Sequence, residues 1–250
     1  MDGTRKGCYF LNFTASHDGI GVRPLEGLVP QEEFDYMIEA VYQRNGFVSF
    51  KKNKDGTESP YELNITYYDA FSDPDKSDDS MQIKRFLCSQ AIMLAFKGVP
   101  GIYFHNLTAT TNDTRGVLSS GDKRSINRMQ WEYKDLEDEL DDESTTTSYI
   151  MEKYKHMLSV RGEHPAFHPN APQKIFDCGK KLFVLERTAL DGSETILSVS
   201  NFTKKTLLVP QSDLPLPESP KAYPNVLAGS RRGGSGSIFL KPFETVWLQI

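Results

Sequence analysis

Apolar positions recur along the 250-residue chain with two different periods, and the change falls near Pro165. Before it, the helical period dominates. Phe34, Met37, Ile38 and Val41 follow Pro30 and an acidic start, Gln31-Glu32-Glu33, that suits a first helical turn; Gly46 marks the predicted end. A second helix is predicted from Met81 through IKRFLCSQAIMLAF, with Ile83, Phe86, Leu87, Ala91, Leu94 and Ala95 on one broad face. A third is predicted over 149–162, with the threonines at 145–147 as its cap. Between these helices, the runs 8–13 (CYFLNF) and 101–104 (GIYF) read as buried strands. Helix, GVPG break and apolar strand make an α-to-β unit of a parallel sheet. Residues 47–50 predict a short strand, and the Asp55-Gly56 pair in the polar segment after it predicts a hairpin turn.

Three polar stretches separate these elements. Residues 73–79 are turn-like and end in an expected N-cap. Residues 105–128 predict a long irregular loop, of a length that is uncommon without a function. Residues 131–143 are acidic and predict a solvated face. From about Pro165 the pattern becomes KIFDC, KLFVLERTA, TILSVSNF, KTLLVP and SIFLKPFETVWLQI, divided by Gly and Pro turns. That texture predicts an antiparallel β domain.

Composition narrows the function classes. A formal net charge of −5 argues against nucleic acid or anionic membranes as partners. No run approaches the roughly 18 apolar residues of a membrane span. No charged-then-apolar leader opens the chain, which points to a cytoplasmic protein. Cys8, Cys88 and Cys178 are far apart and odd in number, as expected of buried thiols in a reducing compartment. Asn-x-Thr triplets at Asn12, Asn64, Asn106, Asn112 and Asn201 then read as chance.

Candidate chemistry begins at NFTASHDGIG. The first strand delivers His17 and Asp18 side by side, with Gly19 and Gly21 after them, as polar groups on the rim of a parallel α/β barrel would be. Ser16 or Asp18 could equally cap a helix. In YELNITYYDAF, tyrosines and an amide suit a sugar, whose apolar faces take rings and whose hydroxyls take amides and carboxylates; packing against a barrel explains most tyrosines as well. An arginine of GDKRSINR could fix a hydroxyl or carboxylate by a forked set of donors, or pair with the acidic residues that follow. His164 and His168 sit four apart, but Pro165 and Pro169 rule against one helix through both, so no metal site is assigned.

NFTASHDGIG resembles the last of the four sequence regions of the α-amylase-type glycoside hydrolases (glycoside hydrolase family thirteen), and GIGVRPLEGLVP resembles that family's sucrose phosphorylase branch. KGVPGIYF is similar to the family's eighth barrel strand, and SNFTKKTLLVP and LKPFETVWLQI to its C-terminal β domain. The implied fold class is α/β, the C-terminal part of a (β/α)8 TIM barrel followed by a small antiparallel β domain. The implied division is 1–164 for the barrel portion, with an insertion after the seventh strand at about 19–80, and 165–250 for the β domain. The resemblance makes Asp18 the carboxylate that stabilises the transition state and His17 a holder of sugar hydroxyls. It makes Tyr61 and Glu62 the residues that reach the acceptor, and Arg124 the first arginine of the RSINR run, which helps hold the glucosyl ring. Arg128 is left as structural.

The resemblance places the two catalytic carboxyl groups of a retaining glycosidase, an Asp after an Arg-x-Asp pattern and a Glu on the next strand, upstream of the His-Asp region; this sequence holds no Arg-x-Asp and almost nothing before Asn12, so neither is expected in it. The implied function is a fragment of a retaining glucoside phosphorylase that cleaves an α-glucoside with inorganic phosphate to α-glucose 1-phosphate, inactive alone. PYELN departs from the sucrose-specific members of that branch, so the resemblance implies glucosylglycerate, glucosylglycerol or sucrose 6′-phosphate at least as much as sucrose. No organic cofactor or metal is implied, and the missing N-terminal half of the barrel is an implied partner. The alternative is a non-catalytic carbohydrate-binding or scaffold remnant.

Overall fold

In the computed structural model, residues 5, 7–75, 80–219 and 221–250 are described. The order opens with β1 (Leu11–Asn12), β2 (Ile20–Gly21), α1 (Gln31–Tyr42), β3 (Phe47–Lys52), β4 (Glu58–Asn64), α2 (Gln82–Ala95) and β5 (Val99–Pro100). It continues with α3 (Phe104–Leu107), α4 (Thr114–Ser120), α5 (Tyr133–Asp141) and α6 (Thr146–Glu163). Strands β6 (Gln173–Phe176), β7 (Leu182–Thr188), β8 (Thr195–Asn201), β9 (Leu207–Pro210) and β10 (Ala222–Asn225) follow. The last are β11 (Ser230–Gly233), β12 (Ser237–Leu240) and β13 (Thr245–Gln249). Contacts gather the chain into two compact units. One holds Met1–Asn12, Leu87–Gly101 and Lys153–Ile250; the other holds Phe13–Phe86 and Ile102–Glu152.

The first unit carries the predicted antiparallel domain. Six strands pair in the order β11-β10-β13-β8-β7-β6, and β9 pairs with β12. Val184, Leu197, Val199, Val246 and Leu248 from this sheet meet Val209, Ile238 and Leu240 in one core. In the same unit β1 runs parallel to β5, with Leu11 opposite Val99 and Asn12 opposite Pro100. The eighth-strand position therefore falls at Val99–Pro100, two residues before the expected 101–104, and Phe104 instead opens the helical turn α3. Gly101 N still donates to the Asn12 carbonyl at 2.7 Å, but the chain then leaves the sheet, and the Tyr103 carbonyl accepts from Asn106 N at 2.9 Å. The expected buried strand at 8–13 is also corrected. Tyr9 is 51% exposed, Leu11 64% and Phe13 58%, because β1 pairs with a single strand among the described residues. Cys8 is likewise exposed, while Cys88 is buried; all three thiols are free.

In the second unit, β2, β4 and β3 form a three-stranded antiparallel sheet in that order, and Gly56 takes a left-handed turn between β3 and β4. Phe34 and Val41 of α1 join Val22, Val48, Leu63 and Ile65 in its core. The helix ends by a left-handed residue, but that residue is Asn45 at φ 58°, not Gly46. Gly46 is needed for closeness instead. A Cβ there would lie 2.7 Å from Val41 Cγ1 and 3.0 Å from Ile65 Cβ. The expected N-cap at the end of 73–79 lies outside the described residues. Thr145 does cap α6, its Oγ1 accepting from Ser148 N at 3.0 Å.

Residues 105–128 are not irregular. Asp113 caps α4 by accepting from Gly116 N at 2.8 Å, and Asp122 caps the 3₁₀ turn Lys123–Asn127 by accepting from Arg124 N at 2.9 Å. The polar composition that read as a loop is the composition of caps. His164 belongs to the first unit, where its Nδ1 lies 2.6 Å from Glu194 Oε1 and the 3₁₀ turn Pro165–Phe167 separates it from His168.

Candidate active site

The second unit places His17, Asp18, Tyr61, Glu62 and Arg124 in one cluster. His17 and Asp18 lie in a tight turn closed by mutual Ser16–Gly19 backbone bonds of 3.0 Å. Asp18 N also donates to Ser16 Oγ at 3.2 Å. No helix starts there, so the capping alternative fails. Gly19, at φ 120°, is required: a Cβ would fall 2.2 Å from the Leu63 carbonyl oxygen.

Strand β4 supplies the opposite wall, and its irregularity explains how. Ser49 of β3 faces Glu62 while Phe50 faces Pro60, so Tyr61 is the extra residue of a bulge. Regular alternation would send Tyr61 and Glu62 to opposite faces; a bulge re-aims one of them. Both then reach Arg124. Its Nε donates to Glu62 Oε2 at 2.9 Å and its Nη2 to Tyr61 Oη at 2.5 Å. Hydrogen bonding to Glu62, the largest cause, raises the Arg124 pKa above its ordinary value. Glu62 is 6% exposed, so this guanidinium is what makes burying its charge tolerable.

Asp18 Oδ1 gathers three cationic or protonatable groups. Arg128 Nη2 is 2.7 Å away, His17 Nε2 3.3 Å and Arg124 Nε 3.7 Å. Arg128, left as structural from sequence, is thus the nearest partner of Asp18. It also donates to the His17 carbonyl at 3.3 Å and lies 3.4 Å from Asp122. The sequence shows Arg124 and Arg128 four apart, but the capped 3₁₀ turn that brings both to Asp18 appears only in the fold. Tyr103 pins that turn by donating to the Asn127 carbonyl at 2.6 Å.

In the same unit His105 is buried, its Nε2 3.1 Å from the Met129 carbonyl and its Nδ1 without a partner among the described residues. Burial holds its pKa below the ordinary histidine value. No group of three or more His, Cys, Asp or Glu suited to a metal occurs among the described residues. The arrangement can present one carboxylate, half open to solvent, together with oriented arginine, tyrosine and imidazole donors. That is a set for holding hydroxyls and opposing a developing positive charge.

No family model matches the chain. It is 41% identical to the glucosylglycerate phosphorylase of Spirochaeta thermophila over 77% of this chain and 32% of that protein. It is 39% identical to the Escherichia coli protein of the same name over 74% of this chain and 33% of the relative. The Allomeiothermus silvanus glucosylglycerate phosphorylase is 34% identical over 96% of this chain and 40% of its own length. The chain thus spans well under half the length of these relatives. The crystal structure of a sucrose 6F-phosphate phosphorylase from Thermoanaerobacter thermosaccharolyticum matches with a TM-score of 0.56 at 23% identity, over 76% of this chain and 39% of that one. That likeness shows the fold, the C-terminal part of a (β/α)8 barrel followed by an antiparallel β domain. The chain belongs with the sucrose phosphorylase-like glucoside phosphorylases of the α-amylase superfamily, as part of their C-terminal portion.

Proposed function

We propose that this chain forms the substrate-facing C-terminal part of a retaining glucoside phosphorylase that acts on glucosylglycerate or a closely related α-glucoside. The single observation that carries the reading is the convergence of His17, Asp18, Tyr61, Glu62 and Arg124 in one cluster, 2.5–3.7 Å apart. Glucosylglycerate is favoured among acceptors because relatives of that name share 34–41% identity, against 23–28% for those named for sucrose, sucrose 6F-phosphate or glucosylglycerol. The barrel portion would be 1–164 and the β domain 165–250.

In this reading a carboxylate from outside the chain attacks the anomeric carbon as the glycosidic bond breaks, and a second, protonated carboxyl group from outside the chain gives its proton to the departing acceptor oxygen, to be reprotonated by the incoming phosphate. A phosphate oxygen then displaces that carboxylate and yields α-glucose 1-phosphate; two inversions give net retention. Asp18 opposes the positive charge that develops on the anomeric carbon. His17 and Arg124 hold ring hydroxyls, and Tyr61 and Glu62 border the acceptor. The exposed β1 edge with Tyr9, Phe10 and Leu11 is where the rest of a barrel would pair. The test is phosphorolysis of glucosylglycerate by the purified chain and by the chain joined behind the N-terminal portion of its Spirochaeta thermophila relative. Activity is expected from the joined protein and none from the chain alone. A joined protein that folds and binds glucose 1-phosphate but releases none would overturn the reading.

A further inference from the structure

Asn64, the last residue of β4, is fully buried. Strand alternation puts it on the face of Glu62, two residues earlier, and cross-strand pairing puts Ser49 opposite Glu62 on that same face. Its neighbour Leu63 points the other way, into the core with Val48. The Asn64 amide is used on both sides. Nδ2 donates to Glu62 Oε2 at 3.0 Å and to the Asp18 carbonyl at 3.0 Å, and Oδ1 accepts from Ser49 Oγ at 2.7 Å. Chemistry fixes the orientation of this amide. A carboxylate and a carbonyl are both acceptors, so only the NH2 group can face them.

One side chain therefore ties together the two halves of the cluster. On one side it holds the backbone of Asp18. On the other it holds the carboxylate that receives Arg124 Nε at 2.9 Å. We infer that Asn64, oriented by Ser49, is a positioning residue that sets the Asp18–Arg124 geometry for the glucosyl ring. The inference rests on the phosphorylase reading for its purpose but not for its geometry. Buried, fully used amides of this kind cost the full desolvation of whatever partner is left unpaired, so the clasp is all-or-none.

The test uses the full 250-residue chain and nitrogen-15 NMR of arginine Nε–H groups. In the unsubstituted chain the Arg124 Nε–H is expected as a slowly exchanging signal. Asn64→Asp keeps the size but removes both donors and sets a carboxyl against Glu62. It should speed exchange of that Nε–H at least about 10-fold over the unsubstituted chain at neutral pH, and the ratio of the two rates, compared at the same pH, should fall back toward one on acidification as the new carboxyl takes a proton. Ser49→Ala, which removes only the orienting bond, should give a smaller change in the same direction while amide protection across β3 and β4 stays unchanged. That pattern, including the recovery with pH, is one that mere loss of packing does not produce. An Arg124 signal unmoved in both variants overturns the inference. Titration with α-glucose 1-phosphate separates the two readings: shifts at Asp18 and Arg124 that weaken in Asn64→Asp support the role in sugar placement. Absence of shifts in the unsubstituted chain counts against the phosphorylase reading, while the exchange result still decides the clasp.

Discussion

Two pairs of arginines, one pair in each unit, are used in opposite ways. In the second, Arg124 and Arg128 are partly open and face carboxylates, Glu62 and Asp18. In the first, Arg187 is fully buried and meets no carboxylate among the described residues. It donates to the carbonyls of Ala95 at 2.8 Å, His168 at 2.7 Å, Ala171 and Pro172 at 3.3 Å. Arg161 likewise donates to the carbonyls of Leu94 at 2.7 Å and Gly98 at 2.8 Å. Leu94 and Ala95 close α2, where the unsatisfied carbonyls carry partial negative charge. Burial, and secondarily Arg161, lowers the Arg187 pKa to about 10, which still leaves it charged at neutral pH. The lesson is that the guanidinium fork serves two ends. With carbonyls it fastens backbone that has left regular structure; with carboxylates near solvent it offers remaining donors to a ligand.

The sharpest way to break the comparison is to remove one member of each class. Arg187→Met should cost about 3–5 kcal/mol of stability, because several buried carbonyls lose their donor at once. Urea unfolding of the chain measures it, and a loss under about 1 kcal/mol would mean that the carbonyls find water instead. Asp18→Asn, in the chain joined to a relative's N-terminal portion, should leave stability nearly unchanged but lower kcat about 10²-fold, the scale of one preorganised electrostatic group. Near-normal kcat would show that Asp18 does not face the reacting carbon. Arg124→Ala in the same protein should raise KM more than it lowers kcat, as expected of a group that holds substrate in ground and transition states alike. Steady-state kinetics with glucose 1-phosphate separates the two patterns.

The smallest effect concerns His105. Its folded pKa lies below the ordinary value of about 6.5 because burial penalises the charged ring. The unfolded chain then binds a proton at higher pH than the folded chain does. Stability from this group is present above the ordinary pKa and is lost as pH falls through it toward the folded value. His105→Gln should therefore flatten the decline in unfolding midpoint between about pH 7 and about pH 5. An unchanged slope would place the titration elsewhere.

Much of this molecule is local and was legible as such. The 3.6-residue spacing of Phe34, Met37, Ile38 and Val41 defined α1, and Asp55-Gly56 marked the β3–β4 turn, because side-chain periodicity and turn chemistry act over a few residues. The alternating runs after Pro165 mark an antiparallel domain, though β10 and β11 give no such signal, because Pro224 and the Ser230–Gly233 strand carry no apolar alternation. Local signals also misled. Asp113 and Asp122 looked like loop residues, and only the fold made them caps of α4 and of the Lys123–Asn127 turn.

The candidate site divides along the same line. Motif resemblance nominated His17, Asp18, Tyr61, Glu62 and Arg124 one by one, from segments more than 100 positions apart at the extremes. Their meeting depends on the pairing of β2 with β4 and on a one-residue bulge at Tyr61, neither of which has a periodic signature. Arg128 and Asn64 gained their roles only there. A donor has no identity until its acceptor is known, and Asp18, which accepts from both, arrives from a turn distant in sequence. Sequence by itself determined which chemical groups are available and which helices and turns carry them. Tertiary structure alone decided which carboxylate each arginine meets, because that choice is made by long-range register and not by any property of the residues themselves.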